Sequence, residues 1–170
     1  DLNKGTVSIA GKLQLGVWTN VVEQGDIVSV ITNSGTLSVA DDTLIGYRTN
    51  NVGRVENTGS LTMGSDCLIA REDYSEGYLR HSDGNMSIAG SMYVGYRGKG
   101  YLELAGDTET VFPNGSFALA RNDWNNTIHS IGELVITNNA SLSRDGKALT
   151  AAINRNATAR IALYDNAKLS

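Results

Sequence analysis

About six times along its length this chain repeats one unit: Gly, alternating apolar residues, a small turn, more alternation, and a closing Gly or Ala. The clearest copies are Gly5–Gly16 (GTVSIAGKLQLG), Gly35–Gly46 (GTLSVADDTLIG), Gly59–Ala70 (GSLTMGSDCLIA) and Gly84–Gly95 (GNMSIAGSMYVG). The closing residues Gly16, Gly46, Ala70, Gly95 and Ala120 are spaced by 30, 24, 25 and 25 residues. A unit this short cannot bury its own apolar face, so copies must stack on one another. The pattern predicts an all-β chain, a single-stranded parallel β-helix (β-solenoid) of about six coils of 24–32 residues. All 170 residues are read as one domain.

Each coil reads as three strands, a, b and c. Strand b carries Val7 and Ile9, Leu37 and Val39, Leu61 and Met63, and Met86 and Ile88, with Ser or Thr between each pair. Strand c carries Leu13 and Leu15, Thr43 and Ile45, Cys67 and Ile69, Met92 and Val94, and Phe117 and Leu119; Leu44 and Leu68 are apolar exceptions between them. Strand a is expected at Ile27–Ile31, Val55, Leu79, Leu102–Leu104, Leu134–Ile136 and Ile161–Leu163. Alternation turns one set inward and the other outward. In-register stacking then lines up Ile9, Val39, Met63 and Ile88. Hairpins would show more two-residue turns such as Asn-Gly between strands, whereas each corner type here recurs from coil to coil. Parallel crossovers favour right-handed coiling. The fifth coil is irregular between Glu109 and Gly115. Lys147–Arg160, rich in Ala and lacking Gly, reads either as a short helix or as strand c of the sixth coil followed by a long corner.

Composition narrows the partners. Nineteen glycines and one proline, with a net charge of −4 and no basic run, argue against nucleic acid and anionic membrane surfaces as partners. No stretch approaches the ~20 apolar residues that span a bilayer. Cys67 stands alone, which excludes an intrachain disulfide, and its apolar-facing position suits a small buried side chain. No cofactor is expected.

The corner after strand c varies most. Gly46-Tyr47-Arg48, Ala70-Arg71-Glu72-Asp73-Tyr74, Gly95-Tyr96-Arg97 and Ala120-Arg121-Asn122-Asp123-Trp124 all carry arginine, one or two places after the small residue. On this spacing the arginines do not form a single file. Insertions gather where a solenoid places its binding surface, so Tyr47, Arg48, Arg71, Tyr96, Arg97, Arg121 and Trp124 form a candidate binding corner. Tyr47, Tyr74, Tyr78, Tyr96, Tyr101, Trp18 and Trp124 could line a sugar-stacking groove; packing over the sheet ends is the favoured reading.

The segments Met92–Val111 (MYVGYRGKGYLELAGDTETV) and Thr43–Met63 (TLIGYRTNNVGRVENTGSLTM) resemble the bacterial autotransporter and PEP-CTERM-associated β-helix repeats, whose units read roughly L-x-V-G-x-x-G-x-G-x-L-x-V. The resemblance runs from about Gly5 to Arg121. This chain departs from it in fewer Gly-Gly turns and more Arg, Tyr and Asn at the corners. It implies an extracellular or cell-surface parallel β-helix serving as stalk, passenger or adhesive surface, and it supplies no catalytic residues.

Enzymatic readings are weaker. Parallel β-helices also host polysaccharide lyases and glycosidases, and glycoside hydrolysis needs two carboxylates ~5–9.5 Å apart across a cleft. The candidates are Asp41 with Asp42, Glu72 with Asp73, and Asp107 with Glu109. Turn stabilisation suits the first pair, and pairing with arginines of the next coil suits the second. His81 and His129 lack metal-ligand spacing and read as lone surface histidines. The G-G-x-G-x-D calcium repeat and regular Thr-x-Thr arrays are missing.

At the two ends, the first coil starts at strand b, and Ile161–Ser170 (IALYDNAKLS) repeats Leu134–Ser143 (LVITNNASLS). Open strand edges invite pairing. Head-to-tail stacking of copies through Val7, Ile9, Leu13, Leu15, Ile161, Leu163 and Leu169, or continuation into further β-helix of a longer chain, are both expected forms of partner.

Overall fold

In the computed structural model, residues 4–17, 28–112, 114–121, 129–144, 148–153 and 156–170 are described. They form a parallel β-solenoid without helix. The first coil holds β1 (Thr6–Ile9), β2 (Leu13–Leu15) and β3 (Val28–Asn33). The second holds β4 (Thr36–Val39), β5 (Thr43–Ile45) and β6 (Val52–Asn57), and the third β7 (Ser60–Met63), β8 (Cys67–Ile69) and β9 (Glu76–His81). Then come β10 (Asn85–Ile88), β11 (Met92–Val94) and β12 (Lys99–Leu104), followed by β13 (Glu109–Val111), β14 (Phe117–Leu119) and β15 (Ser130–Ile136). The sixth coil is β16 (Ser141–Ser143), β17 (Leu149–Ala151) and β18 (Ala157–Leu163), and β19 (Lys168–Leu169) begins another. Every third strand pairs in parallel, giving a seven-stranded sheet b (β1 to β19) and six-stranded sheets c (β2 to β17) and a (β3 to β18).

The register is the one that alternation predicts. Ile9 lies beside Val39, Val39 beside Met63, and Met63 beside Ile88. Leu13, Thr43, Cys67, Met92 and Phe117 form the matching column of sheet c, and Cys67 is fully buried. In sheet a, Ile31, Val55, Leu79, Leu102, Leu134 and Ile161 line up. The three aliphatic columns meet along the axis as one core. In the irregular fifth coil Thr110, not Val111, turns inward beside Met86, and Phe112 is buried against Phe117 at 5.4 Å between ring centroids. Between Lys147 and Arg160, the described residues form β17, which pairs with β14, and the first part of β18. The strand alternative therefore holds there.

Backbone conformation explains the closing residue. Gly16, Gly46, Ala70, Gly95, Ala120 and Ala152 all have positive φ, between 50° and 73°. A left-handed residue turns the chain out of strand c, and bulkier side chains are disfavoured there. Opposite it runs a column of glycines in sheet a, Gly53, Gly77, Gly100 and Gly132, with Ser29 and Ala159 at its ends. A Cβ on Gly100 would stand 2.0 Å from the Gly95 nitrogen. The two backbones touch at this level.

The a–b corner is built in two ways. In the first coils strand a ends on inward Asn33 and Asn57, and only Ser34-Gly35 or Thr58-Gly59 separates it from strand b. Both asparagines are buried. In the later coils strand a ends on Leu104, Ile136 and Leu163, followed by four residues with a left-handed second position: Gly106, Asn138 and Asp165.

Candidate functional site

The corner after strand c pairs neighbouring coils and does not form one file. The bonds Arg71 N–H to Gly46 O and Arg121 N–H to Gly95 O set Arg71 beside Tyr47 and Arg121 beside Tyr96, each residue following its closing residue. Between these pairs the register slips, because Arg97 N–H bonds Ala70 O and so brings Arg97, not Tyr96, level with Arg71. The Arg71 guanidinium lies 4.9 Å from the Tyr47 ring centroid and that of Arg121 5.8 Å from Tyr96. Arg48 covers Tyr47 at 4.5 Å. Each contact is a cation–π pair of about 0.5–1 kcal/mol at partly exposed sites. Tyr93 joins the cluster edge-on to Tyr96 at 5.4 Å and beneath Arg121 at 5.0 Å. Its signal in the sequence is that it shares the outward column of Leu44 and Leu68.

Carboxylates complete the corner. Arg97 reaches back one coil to Asp73 at 2.8 Å and to Glu72 at 3.5 Å, while Arg71 holds Glu72 at 2.7 Å. The pairing of Glu72 and Asp73 with next-coil arginine is thus observed. Arg71, Glu72, Tyr96 and Arg97 line a shallow, open depression. Trp18 and Trp124 lie outside the described residues.

Tyr78 and Tyr101 do not belong to that corner. They stack on the outward face of sheet a, with centroids 4.7 Å apart and planes 6° from parallel, and Arg54 caps Tyr78 at 4.8 Å. The Tyr78 hydroxyl donates to Glu76 at 2.9 Å. Burial and this bond raise its pKa to about 12. The Lys99 ammonium, 3.1 Å from Glu76, holds that carboxyl below the usual range. In both places ring faces are covered by protein groups. Tyr74 is exposed, with φ of 58° in its turn.

Of the remaining acidic candidates, Asp41, Asp42 and Asp107 serve turns. Asp41 accepts from the Asp42 amide at 2.9 Å, and Asp42 accepts from Lys12 at 2.7 Å and Ser65 at 2.8 Å. The Lys12 bond holds the Asp42 carboxyl below its ordinary value. Asp107 accepts from Asn139 at 2.7 Å, and Glu109 is exposed. Among the described residues no three His, Cys, Asp or Glu side chains gather as metal ligands.

His129 is exposed, but His81 is not a surface residue. It is fully buried as the third member of the inward asparagine row. Asn33 Nδ2 donates to Asn57 Oδ1 at 2.5 Å, and Asn57 Nδ2 donates to His81 Nδ1 at 2.6 Å and to Gly59 O at 2.6 Å. His81 Nε2 faces Gly84 O at 3.1 Å and donates to it. The ring is therefore the neutral Nε2–H tautomer, and burial pushes its pKa down. Asparagine before a turn reads as surface, which is why the row escapes a reading from sequence alone. Its signal is Asn33, Asn57 and His81 at one offset from the aliphatic column.

The residues expected at the stacking ends divide. Leu15 is buried, Val7, Ile9, Leu13 and Leu169 are half-buried, and Ile161 and Leu163 remain 39% and 48% exposed. Compared with known proteins, the chain matches no family model, and no curated protein or solved structure is significantly similar to it.

Proposed function

We propose that this chain is a structural element, a segment or subunit of an extracellular fibre, stalk or adhesin passenger on a bacterial surface. The observation that supports this is how the polar corner is spent. Arg71, Arg97 and Arg121 face tyrosine rings or carboxylates of neighbouring coils, so side chains well suited to ligands brace one coil against the next. Among the described residues the core columns run coil to coil as one cluster.

Axial partners follow from the same geometry. Open parallel edges and the exposed Ile161 and Leu163 favour more β-coils at the rod's ends. These come from a second copy, head-to-tail and non-closing, or from further chain. Sheet b carries the additional strand β19, so a second copy joins flush only where its β1 takes that strand's place.

Negative-stain electron microscopy of the purified chain at increasing concentration, with intact mass alongside, tests the reading. Thin unbranched rods that lengthen with concentration mean self-stacking; dispersed short particles exclude it. Turnover of uronate polymers overturns the structural role. So does glycan-array binding that Arg71→Ala abolishes without loss of folding.

A further inference from the structure

We infer that the Asn33–Asn57–His81 row is an acid-sensitive latch: a proton on His81 opposes the hydrogen-bond direction of the whole row and loosens the a–b corner of the first three coils. The row has one polarity. Asn33 donates to Asn57, Asn57 donates to His81, and His81 donates to the Gly84 carbonyl. His81 Nδ1 can accept from Asn57 only while it carries no proton. Protonated, it becomes a donor and points at the Asn57 NH2 group 2.6 Å away.

The nearest remedy fails for a local reason. If the Asn57 amide flips, its oxygen meets the new proton but also faces the Gly59 carbonyl, now held by Asn57 Nδ2 at 2.6 Å. Its NH2 then faces Asn33 Nδ2. Were Asn33 to flip in turn, its NH2 would meet the Gly35 amide, which at present donates to Asn33 Oδ1 at 3.2 Å. No member of the row can reverse without setting donor against donor or acceptor against acceptor. A buried cation would add its own desolvation cost.

Few charges offset this. In its own turn, Asp83 favours the charged ring, although that carboxylate already accepts from the Gly84 amide at 2.7 Å. From β6 and β12, the inward neighbours are Asn57 and Leu104. Glu56, Arg80 and Glu103 lie one residue away on the outward face, Arg80 paired with Glu103 at 3.2 Å. The next coil's turn carries Asp107, which is exposed and engaged by Asn139. From sheet b the core presents Met63, Met86 and Ile88, none titratable. Cys67 is the other buried titratable group among the described residues, and it stands in sheet c.

The sign follows from the depressed pKa. Below the ordinary 6.5 the unfolded chain binds more protons at this site than the folded one. The row's contribution is therefore whole above that value and is lost as pH falls through the lower, folded one.

The test uses the intact chain. Nitrogen-15 spectra of the His81 ring from pH 8 to 4.5 report its tautomer and charge, and exchange of the Ser60 and Ser82 amides, which bond Gly35 O and Asn57 O across the coils, corrected for intrinsic pH dependence, reports the corner. We expect the Nε2–H signature at pH 8 and its loss on acidification, with corner exchange about tenfold faster at pH 5 than at pH 7. In His81→Asn, which extends the asparagine row by one coil, corrected exchange is expected to stay flat. Equal acid loosening in that variant overturns the latch. If the variant does not fold, the wild-type chain decides: a charged ring with unchanged exchange at Ser60 and Ser82, or a ring still neutral at pH 4.5, overturns it equally.

Discussion

The upper and lower halves of the rod solve one problem, the a–b corner, with opposite chemistry. Where two residues separate the strands, the last inward side chain of strand a is Asn33 or Asn57, and it bonds the turn backbone at Gly35 or Gly59. Where four residues intervene, the turn closes on itself: Ala140 N–H reaches Thr137 O, and Ala167 N–H reaches Tyr164 O, both at 3.2 Å. The inward position is then released to Leu104, Ile136 and Leu163. Turn length thus decides whether the core wall is polar or aliphatic, because buried backbone groups must find partners somewhere. His81 stands at the boundary, one coil after the asparagines and one before the leucine, with a three-residue turn of intermediate length.

Exchanging the two chemistries should break the molecule in ways that differ by half. Asn57→Leu brings the lower half's solution to a short turn. It strands the Gly59 carbonyl and His81 Nδ1 together and leaves Asn33 Nδ2 only the Gly35 and Ser60 carbonyls, and we expect a loss of about 4 kcal/mol, a fall of roughly 10 °C in thermal midpoint. A loss below ~1 kcal/mol would mean that the short turns do not depend on the row. Ile136→Asn is the converse exchange. The Thr137–Ala140 turn already satisfies itself, so the new amide finds no waiting partner, and about 3 kcal/mol should be lost to a cavity and an unpaired group. Chemical denaturation measures it, and tolerance of that asparagine would erase the distinction. The smallest effects probe the long turns. Gly106→Ala sets a Cβ 2.4 Å from Ser82 O at φ of 71°, and should cost about 1–2 kcal/mol. Asn138→Gly, at an equivalent position with φ of 57°, should change stability by no more than ~0.5 kcal/mol.

What sequence reasoning reads well here is periodic and apolar. The columns of Ile9, Val39, Met63 and Ile88, and of Leu13 through Phe117, follow from alternation because a one-residue slip would turn each of them to water. A closing Gly or Ala directly after each strand c locates the left-handed corner. The polar features are less legible. Asn33-Ser34-Gly35 and Asn57-Thr58-Gly59 look like ordinary exposed turns, and nothing local says that the asparagine points inward. His81 fails for the same reason, since its partners arrive from the coil before. At the corner after strand c, the pairs Tyr47–Arg71 and Tyr96–Arg121 appear only when the closing residue, and not the arginine, is taken as the origin. Tyr78 and Tyr101 separate from the corner tyrosines once strand a has a phase, which the variable a–b turns withhold.

The contact between the glycine column and the closing residues has a consequence for how such a rod can change. Between Gly46 and Gly53, Ala70 and Gly77, or Gly95 and Gly100, the chain leaves and re-enters the barrel wall at two pinned points. Chain length between those points is free in a way that length elsewhere is not: eleven residues lie between Ala120 and Gly132, and four between Gly95 and Gly100, yet Gly100 and Gly132 remain paired neighbours. The rod therefore works as a ruler with blank labels. Each mark sits one strand spacing, about 4.8 Å, from the next, and whatever is written at one mark leaves the addresses of the others unchanged.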